Sequence, residues 1–422
     1  MNFRHHLKCS GCGAEYPANE LMNLCPIDHR PVEIVIDTAA INKHYPKQSW
    51  YQPDIKSLWR FGPVLGLNLL DQEDAKSIVS LGEGYTPEVP LEYFTQLNEL
   101  GVQLLLKDEG QPHPGYGSNP TGSFKDRGMT MAVSMAKSFG LDKLVVPTQG
   151  NAGDSLVEYA TKAGMQTVVI MPEDTPMPIM GRVAALAHQS ESIQLRLVKG
   201  TIREAGELMK AEYVPKGYFN MATFQEPGWR IEGKKTLGYE LAEPRGAKLN
   251  WELPDVVIYP TGGGTGILGM WKAFDELEQL GVIDQRRPKI ISVQSNQTPP
   301  LVNAFQQQAK DTQAVNAGNT IATGLNVPGG VGHFKVLDII GKSGGAVIGV
   351  DELNIARELK NAYDQTGIWI SPEGAACLAA ITPALNDGLI EPNNKVVVFN
   401  TGSFEKYLGP SIRKIIFGKS VN

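Results

Sequence analysis

The sequence predicts an α/β protein of two domains, each with a parallel-rich open sheet flanked by helices, preceded by a small N-terminal segment. Three observations support this prediction. Runs of β-branched residues alternate with helical patterns along most of the chain. The length of 422 residues exceeds what a single compact core usually organises. The first 35 residues are polar and carry three of the four cysteines, which sets them apart from the rest of the chain.

The predicted strands are short apolar runs, as is typical of parallel strands that are buried on both faces. They are KLVVPT ending at Thr148, TVVIMP at 167–172, DVVIYPT at 255–261, KIISV at 289–293 and KVVVFNT at 395–401. Ligands of open α/β sheets bind at the carboxyl ends of the strands. We therefore expect a site in the loops TQGNAGD (148–154), TGGGTG (261–266) and NTGSF (400–404).

The composition excludes several classes of function. A net charge of −6 gives no general attraction for nucleic acid or anionic membranes, so we expect neither as a partner. The start MNFRHHLKCS lacks an apolar signal segment, and no stretch approaches the roughly 20 apolar residues of a membrane span. We expect a cytoplasmic protein that acts on a small molecule.

The segment NPTGSFKDRG, Asn119 to Gly128, places a lysine where chemistry is expected. Turn-forming residues lead to Lys125, and a helical pattern comes after it. The helix dipole disfavours an ammonium group at a helix start, which favours a neutral or imine-bound Lys125. A lone lysine is usually a solvated surface residue, so the interpretation depends on the surrounding motif.

Two of the loops suit anions. Backbone N–H groups of the loop at 148–154, before a predicted helix, can face a carboxylate, although a tight strand-to-helix turn would have the same sequence. The glycine-rich loop at 261–266 can wrap a phosphate. Nucleotide binding is the rival interpretation, but the loop fits neither G-x-x-x-x-G-K-[ST] nor G-x-G-x-x-G in the required context.

These segments together resemble the fold-type II pyridoxal-5′-phosphate (PLP) enzymes, the tryptophan synthase β-like group, and S-F-K-D-R-G is most similar to the threonine synthase family. The resemblance covers most of residues 80–405 and includes EGYTPEVP, LLLKDEG, RIEGKKT and SPEGAA. It implies that Lys125 holds PLP as a Schiff base and then moves protons. It also implies that Phe124 lies beside the cofactor ring, that Asn151 contacts the phenolic oxygen, and that the Thr401 hydroxyl contacts the pyridine nitrogen.

The same resemblance implies the remaining site. The glycine loop is implied to bind the PLP phosphate; its residues are Gly262, Gly263, Gly264, Thr265 and Gly266. Thr148, Gln149 and Gly150 are implied to bind the substrate carboxylate. Arg230 is implied to bind a substrate phosphate, and a buried salt bridge is the alternative for this residue. The implied reaction, a step of threonine biosynthesis, is a lyase conversion of O-phosphohomoserine and water to threonine and phosphate.

Two departures from the family pattern keep other functions open. Ala152 replaces a hydroxyl residue, and GGGTG replaces G-N-x-G-N; both altered positions serve phosphorylated substrates in the family. The first alternative is β-replacement or β-elimination on O-phosphoserine, serine or threonine, as in a cysteate synthase or an ammonia-lyase. The second, from another class, is a regulatory zinc-ribbon protein whose PLP-like domain is catalytically dead.

The N-terminal cysteines predict a metal site. Cys9, Cys12 and Cys25 have zinc-knuckle spacing, with Asp28 in the fourth position and His29 beside it. The expected ligands are Cys9, Cys12, Cys25 and Asp28, although a segment that folds without metal stays open.

The resemblance also implies a domain division and an assembly. The zinc-ribbon-like segment is 1–35, the large PLP-binding domain combines 36–110 with 215–422, the small mobile domain is 111–214, and the assembly is a homodimer.

Overall fold

The structure is a computed structural model that describes residues 2–246, 248–409 and 412. The strands of these residues are β1 Arg4–Cys9, β2 Glu15–Pro17, β3 Val32–Ile36, β4 Glu88–Pro90, β5 Gln103–Asp108, β6 Lys143–Pro147, β7 Gln166–Pro172, β8 Ile193–Val198, β9 Phe219–Asn220, β10 Val256–Pro260, β11 Lys289–Ser295, β12 Ala346–Val350 and β13 Lys395–Asn400. The helices are α1 Thr38–His44, α2 Gln72–Ser77, α3 Thr95–Glu99, α4 Lys125–Ser138, α5 Asn151–Ala163, α6 Met177–Gln189, α7 Ile202–Leu208, α8 Trp229–Lys234, α9 Thr236–Ala242, α10 Thr265–Gln279, α11 Pro300–Gln306, α12 His333–Ser343, α13 Glu352–Thr366, α14 Pro372–Ala379 and α15 Ile381–Asn386.

The chain forms two compact units. The first comprises Met1–Gly84, Asn119–Thr121 and Lys125–Thr236, and the second comprises Tyr85–Ser118, Gly122–Phe124 and Leu237–Asn422. This grouping places residues 36–84 and 215–236 with the N-terminal segment and with 125–214. The domain division that the sequence suggested differs from it and stays a prediction.

The first unit contains two sheets. One is antiparallel, in the order β2-β1-β3, and the other is parallel, in the order β8-β7-β6-β9. Val145, Val168 and Ile170 of the parallel sheet pack against Ala205 and the segment after α7. Apolar side chains on both faces explain why these strands read as unbroken hydrophobic runs.

The second unit contains a six-stranded sheet in the order β12-β11-β10-β13-β5-β4. All its neighbouring pairs are parallel except β4–β5. Because parallel strands all end at the same edge, the loops after β5, β10 and β13 are neighbours in the sheet. The mixed α/β fold with parallel-rich sheets and flanking helices, predicted from the alternating pattern, is confirmed. Among the described residues, no helix combines the length and the apolarity needed to cross a bilayer.

Helices α4 and α8 of the first unit approach each other closely, and glycine makes this possible. A Cβ atom on Gly233 would lie 1.8 Å from the carbonyl oxygen of Arg127, which no side chain can occupy. On the other helix, a Cβ on Gly128 would lie 3.0 Å from Cε of Lys234 and 3.4 Å from Cβ of Arg230. The RIEGKKT segment is therefore packed directly against the first turns of the lysine-bearing helix.

Candidate active site

Lys125 is the first residue of α4 and is partly buried. The turn that precedes it is fixed by Asp126, whose carboxylate accepts hydrogen bonds from the Thr121 backbone N–H (2.7 Å) and hydroxyl (2.6 Å). The hydroxyl of Ser155 in α5 donates to the same carboxylate at 2.6 Å. Asp126 thus satisfies donors outside its own helix and clamps the start of α4 to α5.

The loop after β6 leads to Asn151, the first residue of α5. Gly150 is the N-cap residue, and no side chain closes this helix terminus. The Gly150 N–H donates to the Thr148 hydroxyl at 3.1 Å, which bends the loop over the terminus. Such an uncapped terminus can bind an anion. The specific assignments of Asn151, Thr148, Gln149 and Gly150 stay predictions.

Arg230 lies in α8 and is 2% exposed. Its guanidinium donates to the Met221 carbonyl and, at 3.2 Å, to the Thr223 hydroxyl. Its Nε lies 4.0 Å from the Glu226 carboxylate. Burial raises the pKa of Glu226 to about 7, against the opposing effect of Arg230, and burial lowers the pKa of Arg230. The phosphate-binding role of Arg230 stays a prediction, and the buried ion pair that was its alternative is present.

Lys234, one turn beyond Arg230, is a residue that sequence reasoning missed. Burial and the positive charges of Lys125 and Arg230 hold its pKa well below the ordinary lysine value. The neighbouring Lys235 is a structural residue, because it forms a 2.7 Å ion pair with Glu232 in which both side chains are fully buried. The doubled lysine in the sequence gave no sign that its two members have different surroundings.

In the second unit, the glycine loop connects β10 to α10. Gly264 is the N-cap residue in the left-handed conformation, with φ of 84°, and no side chain caps the helix. A Cβ on Gly266 would lie 2.0 Å from the Tyr259 hydroxyl, so the first turn also requires glycine. The 15-residue helix therefore presents uncapped N–H groups at its start, which is the arrangement that binds phosphate.

Two buried polar residues, His333 and Glu373, lie near this loop, and the sequence did not reveal them. His333 Nε2 lies 2.8 Å from the Gly262 carbonyl oxygen and therefore donates to it. Burial lowers the pKa of His333, which favours the neutral ring. Glu373 accepts a hydrogen bond from the Gly324 N–H at 2.7 Å, and burial raises its pKa.

Thr401 comes directly after β13 and is 6% exposed. Its carbonyl oxygen accepts a hydrogen bond from the Phe124 N–H at 3.1 Å, and Ser123 bridges to Gly402. The Phe124 ring makes an edge contact with Tyr259 at a centroid distance of 6.2 Å. The second unit thus brings Phe124 and Thr401 together, although their roles toward a cofactor stay predictions.

The four residues predicted to hold a metal lie together. The ligand atoms of Cys9, Cys12, Cys25 and Asp28 are all within 4.8 Å of one another. Cys9 Sγ lies 3.2 Å from Asp28 Oδ1, and the Sγ atoms of Cys12 and Cys25 are 3.7 Å apart. Ligands of tetrahedral zinc lie roughly 3.3–3.8 Å apart, so the donor set fits zinc. His29 is exposed and is not part of this group. Zinc binding stays a prediction.

Comparisons with known proteins show which family the chain resembles. The family model for pyridoxal-phosphate dependent enzymes matches residues 79–402. The threonine synthase of Methanocaldococcus jannaschii is 32% identical over 397 residues, which are 94% of this chain and 91% of that protein. The threonine synthase of Methanosarcina acetivorans is 28% identical over 404 residues, 95% of this chain and 92% of that protein.

Among solved structures, the processed form of threonine deaminase isoform 2 from Solanum lycopersicum has a TM-score of 0.62 at 22% identity, covering 79% of this chain and 82% of that one. At that identity the likeness supports the fold alone. The resemblance that the lysine motif suggested is confirmed by the family match and by the full-length relatives. The chain therefore belongs to the pyridoxal-phosphate dependent enzyme family and, within it, groups with the threonine synthases.

Proposed function

We propose that the chain is a threonine synthase that converts O-phosphohomoserine and water to threonine and phosphate. The observation that carries the proposal is the match to threonine synthases over nearly the whole chain. Lys125 at the start of α4 supports it, because the family resemblance implies a cofactor lysine at this residue. Family membership makes PLP the cofactor and makes the chain a PLP-dependent lyase. When bound, PLP supplies an electron sink that acidifies the carbons of an amino acid attached to it.

The described residues fit PLP. The uncapped terminus at Gly264 and Thr265 would hold its phosphate, and glycine at this point lets the backbone approach closely. Lys125 would bond the aldehyde carbon, with its helix held by Asp126. The Thr401 hydroxyl would accept or donate one hydrogen bond at the ring nitrogen, and as a neutral group it stabilises a protonated ring less than a carboxylate does.

The chain's own residues would then orient the substrate and move its protons. Lys125 lies at a helix N-terminus and close to Lys234, whose pKa its positive charge helps to lower. A helix dipole disfavours an ammonium group at such a terminus, which suits the proton-moving role that the family resemblance implies for Lys125. The uncapped terminus of α5, with Thr148 and Gln149 before it, would hold the substrate carboxylate. Asn151 would contact the phenolic oxygen of the cofactor.

Arg230 is the proposed partner of the substrate phosphate. A guanidinium can bind phosphate bidentately, and its neighbour Glu226 has a pKa raised to about 7 by burial, so protonation of Glu226 would leave the Arg230 charge uncompensated. Nε of Arg230 is buried, and no hydrogen-bond partner for it lies among the described residues. An incoming phosphate would supply one.

A second candidate function has support of its own. Ala152 stands where the family has a hydroxyl residue, and Arg230 already donates to Met221 and Thr223. Both features weaken phosphate recognition and favour β-elimination or β-replacement on serine or threonine, which carry no phosphate.

An assay of purified protein with added PLP separates the two functions. With O-phosphohomoserine, the first proposal expects phosphate and threonine in equal amounts. Release of phosphate or ammonia from O-phosphoserine, serine or threonine, together with inactivity toward O-phosphohomoserine, would replace it with the second. Absence of any turnover in PLP-loaded protein would favour the catalytically dead regulatory alternative.

Location, assembly and domain motion belong to the same proposal. The cysteines are free thiols, which favours a reducing compartment such as the cytoplasm. The homodimer and the mobile small domain at 111–214 rest on the family resemblance. Gel filtration with light scattering tests the dimer.

A further inference from the structure

A histidine–aspartate pair lies in the second unit at the end of β5. His113 Nε2 is 2.7 Å from Asp108 Oδ2. The Asp108 side chain is fully buried, whereas the His113 ring is 21% exposed. Asp108 Oδ1 accepts from the Gly110 N–H at 2.9 Å and from the Asn400 side-chain amide at 2.8 Å. The carboxylate is thus fixed from one side and holds the imidazole from the other.

The loop that carries His113 is itself anchored. Gln111 Nε2 donates to the Trp369 carbonyl at 2.8 Å, and the Gly117 N–H donates to the Tyr85 carbonyl at 2.9 Å. The Arg245 guanidinium lies over the Tyr116 ring, 5.5 Å from the centroid of that ring. A ring held by such a loop keeps a defined direction, which proton transfer requires.

The pair lies at the edge of the sheet where the candidate site is found. Asp108 ends β5 and Asn400 ends the neighbouring parallel strand β13, directly before Thr401. The loop runs so close to this strand end that a Cβ on Gly110 would lie 2.3 Å from the Gly402 carbonyl oxygen. The Asn400 side chain is hydrogen-bonded to Asp108, and Thr401 is the residue that follows Asn400 in the chain.

The pair has an available proton site. Nε2 is engaged by Asp108, and no hydrogen bond to Nδ1 is formed within the described residues. A buried carboxylate that orients an imidazole also stabilises the imidazolium that forms when the other nitrogen takes a proton. Geometry of this kind serves acid–base chemistry.

We propose that His113, oriented by Asp108, is a second proton-transfer residue of the site, distinct from Lys125, and accepts the proton of the water that adds to the substrate. The inference rests on the proposed threonine synthase function. The water oxygen bonds to the β-carbon of the unsaturated four-carbon compound while one O–H bond breaks. The electron pair of the carbon–carbon double bond moves to the α-carbon, which takes its proton from Lys125. That proton goes to His113 Nδ1, Nε2–H stays donated to Asp108, and the imidazolium later returns its proton to solvent. Phosphate has already left with the electron pair of its bond to the γ-carbon.

A substitution of His113 by glutamine tests this role. The Nε2 group of glutamine can replace the donor to Asp108 and keep the loop in place, but an amide cannot accept the water proton. We expect His113→Gln to fold normally and to release phosphate from O-phosphohomoserine. Threonine formed per phosphate should fall at least about tenfold, with 2-oxobutyrate and ammonia in its place, because the unsaturated four-carbon product would be hydrolysed instead of hydrated.

Two further variants separate proton transfer from a purely structural contact. Gln111→Ala removes an anchor of the same loop without touching the pair, so it should keep the wild-type ratio of threonine to phosphate even where it lowers the melting temperature. His113→Ala removes both donor and base and should lower both the melting temperature and the ratio.

The outcomes separate the two proposals. A wild-type ratio in His113→Gln would overturn the proton-transfer role and leave His113 as a loop contact. An equal fall of the ratio in Gln111→Ala would also overturn it, since loop order alone would then explain the effect. A wild-type enzyme that releases no phosphate from O-phosphohomoserine would instead refute the proposed function, and the water-addition role of His113 would fall with it.

Discussion

Helices α4 and α8 of the first unit each begin near a cation that the family pattern singles out, and they differ in what surrounds that cation. Lys125 opens α4 and is partly buried, with its first turn fixed by Asp126. Arg230 sits inside α8, is 2% exposed, and already donates to two protein oxygens near Glu226. A motif match thus predicts where both residues lie in the chain, but only the three-dimensional structure shows which groups surround each cation.

The largest expected effect belongs to Lys125. Lys125→Ala should abolish the Schiff-base absorbance and lower turnover by roughly 10³-fold or more, because no other amine would both bond the cofactor and move protons. Borohydride reduction of the wild type, with peptide mass spectrometry afterwards, should place the cofactor on Lys125. Lys137→Ala, in the last turn of the same helix, is the control and should retain the absorbance. Recovery of the reduced cofactor on Lys234 would place the cofactor lysine in α8 and contradict its assignment to α4.

Arg230 comes next. Arg230→Ala should raise KM for O-phosphohomoserine by roughly ten- to hundredfold, since a charge-assisted contact contributes about 1.5–3 kcal/mol. PLP affinity, measured by fluorescence titration, should be nearly unchanged. Arg230→Lys keeps the charge but loses the bidentate geometry, so its KM should lie between those of the wild type and of Arg230→Ala. An unaltered KM in both variants would show that Arg230 serves only its ion pair.

Much of the fold and part of the site could be predicted from sequence, because local patterns carry them. The runs at 255–261 and 395–401 became β10 and β13, and the turn before Lys125 and the glycines before Thr265 became helix starts. These features depend on neighbours in the chain. The ligand atoms of Cys9 and Asp28 likewise lie together, as their spacing suggested.

The features that the sequence did not reveal depend on distant partners. The lowered pKa of Arg230 depends on burial, against the opposing effect of Glu226, and the lowered pKa of Lys234 depends on burial and on the charges of Lys125 and Arg230. His113 is joined to Asp108 only because a loop of Pro and Gly residues turns back on β5. Residue type and helical or strand periodicity give no signal for such contacts.

Glu226 offers a test of the buried pair through pH. Its pKa rises from 4.5 to about 7 on folding, so between these values the folded state holds a proton that the unfolded state has released. Rising pH should therefore destabilise the wild type relative to Glu226→Gln, by roughly 1–3 kcal/mol between pH 4.5 and 7. Urea unfolding at several pH values measures this difference. The exposed Glu207→Gln should show no such trend. A difference independent of pH would mean that Glu226 is ionised throughout.

The smallest expected effect on turnover concerns the cysteine cluster. Protein prepared without chelator should contain about one zinc per chain, because the four ligand atoms form a closed set. Chelation or Cys12→Ser should lower the melting temperature by a few degrees while kcat stays within about twofold. Metal-free protein with the same melting temperature would show that packing alone maintains this segment.

The proposed reaction cleaves the bond between the γ-carbon and the phosphate oxygen of O-phosphohomoserine and then hydrates the product. Turnover in H₂¹⁸O, with mass spectrometry of both products, distinguishes this reaction from hydrolysis of the phosphate ester. We expect one ¹⁸O atom in the hydroxyl group of threonine and none in the released phosphate. Phosphate that carries ¹⁸O, formed together with homoserine, would show hydrolysis of the phosphate ester and would refute the proposed function.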